Sequence, residues 1–180
     1  EIIYVQGVNT TITHSNITRS KATSNGGAVY IHGENTTISY SNIAYNNGTN
    51  GGSIYVDGDF TRIDNSNVEV SKATGNGGAI YIKGLNTTIY NSTLGQNNGT
   101  NGRSIYVNGD NSKILYSNVT KSKSTTNGGA IYVQGANTTI EHSEMILNSA
   151  KSGGAIYVQG ANTTISESRV NNNTATSQGG

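Results

Sequence analysis

"GGAIYVQGANTTI" fills Gly128–Ile140 and returns unchanged at Gly153–Ile165, 25 residues further on. The tyrosine in the middle of this phrase gives the period. Tyrosines preceded by Ile or Val stand at Tyr4, Tyr30, Tyr55, Tyr81, Tyr106, Tyr132 and Tyr157, so the spacings alternate between 26 and 25. Seven units of two alternating kinds result. The alternation has a source: "SKATSN" at Ser20–Asn25 precedes one Gly pair, and the shorter "NNGTN" at Asn46–Asn50 precedes the next. Stretches beginning at Ala22 and Ala73 match closely over two units, which makes a two-unit block the ancestral duplication.

Without the repeat, composition would suggest disorder, since apolar residues make up 32% of the chain and the net charge is +1. There is no cysteine, which excludes a disulfide framework, a thiolate metal site and a cysteine nucleophile. No apolar run approaches the roughly 20 residues of a membrane helix, so no membrane span is expected in this segment. A near-neutral charge with no basic stripe argues against nucleic acid as a partner. The chain begins at Glu1 without a methionine or a signal peptide, which predicts a mature product or an excised piece.

Each unit holds three short apolar-alternating stretches separated by Gly, Asn, Ser or Thr, which is strand chemistry. In the second unit Val29 and Ile31 share one face, Ala28, Tyr30 and His32 the other, and Ile38 and Ile43 complete the apolar set. One unit cannot bury so few side chains, but stacked units can. The expected fold is all-β: a right-handed parallel β-helix (β-solenoid) of seven coils of 25 or 26 residues, three strands per coil. Coils would lie about 4.8 Å apart. Residues 1–180 read as a single uncapped segment, because Glu1–Tyr4 stands where Gly-Ala-Ile-Tyr should and Gly179-Gly180 would open an eighth coil. The phase match predicts part of a longer chain or a head-to-tail filament.

Stacking places like residues above one another. Ser15, Ser41, Ser66, Ser92, Ser117, Ser143 and Ser168 form one column, read as an inward ladder at a corner. Asn46, Asn97, Asn148 and Asn173 alternate with Ser20, Ser71 and Ser122 in another. Such ladders satisfy turn backbone that would otherwise be buried unpaired.

"GGAIY", together with an apolar-x-x-Asn phrase at Ile43–Asn46, Leu94–Asn97, Met145–Asn148 and Val170–Asn173, resembles the repeats of chlamydial polymorphic membrane proteins. The "NTTI" and "SxI" phrasing is similar to the adhesin-like β-helix repeat proteins of methanogenic archaea. Gly102–Ser104 departs by breaking one Gly pair, and Ser replaces Asn in alternate coils. The resemblance implies an extracellular, cell-surface protein concerned with adhesion or with building a surface structure. It implies no catalytic residue, metal or cofactor.

If the flanking Ile and Val point inward, the seven tyrosines form an exposed aromatic ladder along one sheet. Two readings stay open: stacking that stabilises the sheet, and a sticky face for surface glycans or another cell. An enzyme reading would place a glycan-binding or polysaccharide-cleaving site at Asp57, Asp59 and Asp64, with Asp110 two coils above Asp59 and Lys83 between. His14 and His142 share a column five coils apart, too far for one metal. Thr pairs recur but give way to Arg62 and Lys113, which spoils an ice-ordering array. Sequons at Asn9, Asn35, Asn86, Asn137 and Asn162 fall in one turn column and are candidates for N-glycosylation. Taken together, the sequence predicts a non-enzymatic extracellular stalk, fibre or adhesive rod that associates with its own kind head to tail.

Overall fold

The first strand of each unit sets the geometry. In Val29–Ile31 both aliphatic residues are fully buried, while Tyr30 between them projects from the opposite face of the pleat. The computed structural model describes residues 2–179 and repeats this arrangement along the chain. Glu1 and Gly180, on which the phase match of the two ends partly rests, lie outside the described residues.

Strands Ile3–Val5, Val29–Ile31, Ile54–Val56, Ile80–Ile82, Ile105–Val107, Ile131–Val133 and Ile156–Val158 form one seven-stranded sheet, called here the tyrosine sheet. Its pairing is parallel and sets Tyr4 on Tyr30, Tyr30 on Tyr55, and so on to Tyr157. A second seven-stranded sheet runs from Thr11–Thr13 to Thr164–Ser166, and a third from Asn16–Thr18 to Arg169–Asn171. The protein is therefore an all-β parallel β-solenoid of seven coils, three strands to a coil. A short fourth side closes the coils: Asn47–Gly48 pairs with Lys72–Ala73 and Ser149–Ser152 with Thr174–Gln178, with bridges Lys21↔Asn47, Lys72↔Asn98 and Lys123↔Ser149. The sequence reading treated this side as loop.

Each coil contributes two residues of the tyrosine sheet and the middle residue of each other strand to the interior. Val29, Ile31, Ile38 and Ile43 do so in the second coil, and one continuous core runs from Val5 to Ala155. Ala28, expected on the outer face with Tyr30, is instead fully buried in this core, as are Ala79 and Ala130, because it precedes the strand and lies outside its alternation; so few apolar side chains per coil suffice because the neighbours above and below cover them.

Three of the bends in each coil are made by a single non-glycine residue in the left-handed region: Asn35 (φ 53), Tyr40 (φ 48) and Tyr45 (φ 60) in the second coil. A fourth bend in that turn of the chain uses Gly51 (φ 63). The following glycine, Gly52, is needed for a different reason, since a Cβ there would lie 2.1 Å from the carbonyl oxygen of Gly78 in the next coil. Arg103 occupies the same column without that freedom. Its side chain folds onto the fourth side, where Nε donates to Gly99 O (3.3 Å) and Nη2 to Asn98 Oδ1 (2.6 Å).

Left-handed backbone disfavours any Cβ and disfavours a branched one most. Val70 (φ 49) is the β-branched residue held in this conformation, in the column where the seventh coil has Asn172 (φ 53). Val70→Asn should stabilise the chain by about 1 kcal/mol, read as a higher midpoint in thermal denaturation followed by circular dichroism. An unchanged or lower midpoint would show that the corner carries no strain.

Candidate functional site

The tyrosine column lies outside the coil, as period two requires, and its rings stack along the axis. Successive centroids are 5.2, 4.9, 5.0, 4.9, 4.8 and 5.1 Å apart. Planes tilt by 33° and 31° at the Tyr4 end and close to between 6° and 18° from Tyr55 onward. Stacking covers the faces of the rings. Tyr4 keeps 53% of its surface, but Tyr55, Tyr106 and Tyr132 keep 8%, 7% and 9%. The expectation of an exposed ladder is corrected to this extent: between its two end members, Tyr4 and Tyr157, the column offers ring edges and hydroxyls rather than open ring faces. Tyr106 and Tyr132 hydroxyls donate to Gln134 and Gln159 of the next coil.

Burial raises the phenol pKa of Tyr30, Tyr81 and Tyr132, and pushes Tyr55 and Tyr106 up to about 12, with neighbouring phenols adding to the effect at both of the last two. The dominant cause is desolvation, which penalises the phenolate.

The acidic residues of the enzyme reading are not assembled into a pair. Asp57 is held between His32 Nδ1 (3.3 Å) and Lys83 Nζ (2.7 Å). Burial alone would raise its pKa, but the hydrogen bonds from Lys83 and His32 outweigh burial and hold it below the usual carboxylate value. Asp59 accepts from the backbone N–H of Leu85 (2.7 Å), Asp110 from that of Ala136 (2.8 Å), and Asp64 from Arg62 Nε (2.6 Å). Each carboxylate is a turn or ion-pair partner of its own. His14 stacks on Tyr40 (5.2 Å) and His142 on Tyr116 (4.6 Å), at the corners between the second and third sheets. A grouping the sequence reading missed is Glu141, His142 and Glu167, whose ligand atoms lie within 4.8 Å of one another. Each already has a protein partner: His142 Nδ1 is 3.2 Å from Glu167, and Glu141 accepts from Ser166.

The polar ladders are the most regular feature. Along the serine column the backbone N–H of Ser15, Ser41, Ser66, Ser92, Ser117 and Ser143 donates to the hydroxyl of the next serine at 3.1–3.2 Å. Each hydroxyl donates in turn to the carbonyl two residues earlier in its own coil, from Ser15 to Thr13 through Ser168 to Ser166. The bond therefore straddles the left-handed corner and locks it.

In the asparagine column Asn46 Oδ1 accepts from Ser20 N (2.9 Å), and its Nδ2 donates to Ile17 O (3.2 Å) and Ser53 Oγ (3.0 Å). Asn97 repeats this with Ser71, Val68 and Ser104. Ser53 and Ser104 then bond the hydroxyls of Ser71 (2.6 Å) and Ser122 (2.7 Å). Asn148 and Asn173 carry the ladder onward through their amides. The sequence reading named the Asn and Ser columns but not Ser53 and Ser104. Both stand where Ala28, Ala79, Ala130 and Ala155 stand in other coils, a hydroxyl in an otherwise apolar column.

The first Thr of each pair is a structural residue. Thr36, Thr87 and Thr138 are fully buried, and their hydroxyls donate to the glycine carbonyl three residues earlier. Asn9, Asn35, Asn86, Asn137 and Asn162 all sit at left-handed turns outside the coil (φ 53–56). Within that column Nδ2 of Asn137 donates to Asn111 (3.2 Å) and Nδ2 of Asn162 to Asn137 (3.1 Å), so the atom that would carry a glycan is also a ladder donor.

Two outcomes follow. Ser20 Oγ is buried without a partner, because Ile2 occupies the phase at which Ser53 serves Ser71. Ser71→Ala should cost about 1–2 kcal/mol and Ser20→Ala close to nothing, measured by denaturant titration; equal costs would show that the bonds of the Ser71 hydroxyl to Ser53 Oγ and Glu69 O add no stability. For the ladder, phenols titrating at about 12 when folded and near 10 when unfolded give a contribution that is whole below pH 10 and lost as pH rises towards 12. Tyrosinate absorbance should lag behind that of free tyrosine until strand dichroism falls in the same pH range. Full ionisation at pH 10 with the strand signal intact would contradict the burial.

No protein-family model matches the chain, and no curated protein matches it in sequence. Among solved structures it is similar to a trypsin-treated variant of QnrB1, a plasmid-mediated fluoroquinolone resistance protein, at 8% identity over 94% of this chain and 89% of that one, with a TM-score of 0.36. The full-length form of QnrB1 gives 11% identity over 90% of this chain and 94% of that one, with a TM-score of 0.22.

Proposed function

We propose that this chain is a non-enzymatic structural rod, an extracellular β-solenoid that works as a surface stalk, filament or adhesive fibre. The observation that carries the reading is the direction of its bonding. Hydrogen bonds that hold the sheets, the serine column and the asparagine column run from one coil to the next, along the rod. Stiffness along one axis is what such an assembly supplies. The extracellular and adhesive setting is supported by the resemblance of "GGAIY" and "NTTI" to surface-protein repeats.

Electron microscopy with fibre diffraction tests this. Long unbranched fibres with an axial reflection near 4.8 Å are expected, and mass determination of the chain would separate one long polypeptide from stacked copies. Discrete short particles that never associate would overturn the filament.

A further inference from the structure

A net charge of +1 conceals a strong segregation of charge. Seven of the eleven cations lie in the segments that connect the third sheet to the tyrosine sheet through the fourth side: Arg19, Lys21, Lys72, Arg103, Lys121, Lys123 and Lys151. Those segments, residues 19–28, 45–53, 70–79, 96–104, 121–130, 147–155 and 172–179, contain no Asp or Glu. Among the described residues the other sides carry four cations and nine acids, and three of those four cations, Arg62, Lys83 and Arg169, are in ion pairs. Among the described residues, none of the seven fourth-side cations is in an ion pair. Glu69, the last residue of strand Asn67–Glu69, borders this side without entering it. The expectation that the chain has no basic stripe is thereby corrected: scattered in sequence, the cations are gathered by the coil.

Their placement is regular. Lys21 and Lys72 both pair with Asn47, one from each side, so their backbones stand two coils apart, about 10 Å. Lys123 has the same phase a further two coils along. Between Lys21 and Lys72 lies a groove of ≈ 430 Å³, lined also by Thr23, Asn47, Thr49 and Thr74. The rod thus shows a straight row of amines with uncharged hydroxyls and amides between them.

We propose that this side is a docking surface for a linear carboxylated polysaccharide lying parallel to the rod axis along Lys21, Lys72 and Lys123. Charge complementarity selects a polyanion, since a row of unpaired amines raises a positive potential with nothing on its own side to cancel it. Sparse charge selects among polyanions. Duplex DNA bears a charge about every 1.7 Å along its axis, far denser than this row, and single strands are held by rows of aromatic platforms. This side has one aromatic residue, Tyr45. A chain of uronic acids carries at most one carboxylate per sugar, a sparser charge than duplex DNA, and hydroxyls to meet the Thr and Asn between the amines. The surface adds a ligand class to the adhesive rod, yet needs only the seven coils and no filament.

The test is binding of the intact chain to polygalacturonate in solution, against dextran, fully methyl-esterified polygalacturonate and single-stranded poly-dT. At an ionic strength of about 0.01 M polygalacturonate should bind, and at about 1 M the affinity should collapse, because screening shortens from about 30 Å to about 3 Å. Dextran and the methyl ester should not bind. The triple variant Lys21→Gln, Lys72→Gln, Lys123→Gln should lose about tenfold in affinity, whereas Lys113→Gln, an exposed cation of another side, should change it less than twofold. Retained strand dichroism accompanies each variant, and the ester control needs no variant at all. Equal binding of ester and acid, an unaffected triple variant, or tighter binding of poly-dT would each overturn the proposal. Filament failure in microscopy leaves this measurement unaffected, so the two readings fail separately.

Discussion

Axial hydrogen bonding is the constraint on which the structure depends. A coil of about 25 residues cannot satisfy its own backbone, so its N–H and C=O groups bond to the coil above or below. Those bonds exist only if every coil bends at the same phase. Loops of variable shape would break the register, and the chain instead bends at single left-handed residues, three non-glycine ones per coil. Each is locally unfavourable by about 1–2 kcal/mol, and the inter-coil bonds beside it offset that cost. At the corner after Tyr40, for example, Ser41 Oγ bonds its own coil at Ser39 O and accepts from Ser15 N of the preceding coil.

This constraint explains why the sequence looks unlike a globular domain and still encloses a core. Positions that point in are Ile, Val, Leu, Ala or Met, whereas the left-handed corners accept residues of many kinds, from Asn35 to Tyr40, Val70 and Lys121, because their side chains lie outside the core. Asn46 and Asn97 each find a hydroxyl partner seven residues later in Ser53 and Ser104, whereas Asn148 has Ala155 at that position and bonds Val119 O and Asn173 Oδ1.

Period, strand count, inward residues and the stacked columns were legible in the sequence, because a parallel stack converts position in the repeat directly into position in space. What was not legible depends on side-chain distances between coils. Period two places Tyr55 and Tyr106 outside, but only a centroid spacing near 5 Å shows that neighbouring rings cover them. Similarly, the two Thr of a pair look alike in sequence, yet the turn buries Thr36 with its hydroxyl on Gly33 and leaves Thr37 partly exposed. Spacing suggested that Asp57 and Asp110 belong to one cluster, whereas Lys83 and His32 claim the first and a backbone amide the second.

Charge follows the same logic at a longer range. Lys21, Lys72 and Lys123 lie 51 residues apart, too far for a local charge count to register a run, and the helical path brings them into one row. The acids are removed from that row by phase rather than by distance: Asp59 and Asp110 occupy the turn after the tyrosine strand, and Glu69 and Glu144 the third sheet. A repeat protein can therefore be near neutral overall and strongly polar across its width, since one substitution copied every second coil adds a charge to the same side each time. Any function that grows with rod length, whether stiffness or charge-matched adhesion, is then set by the number of coils rather than by any single residue.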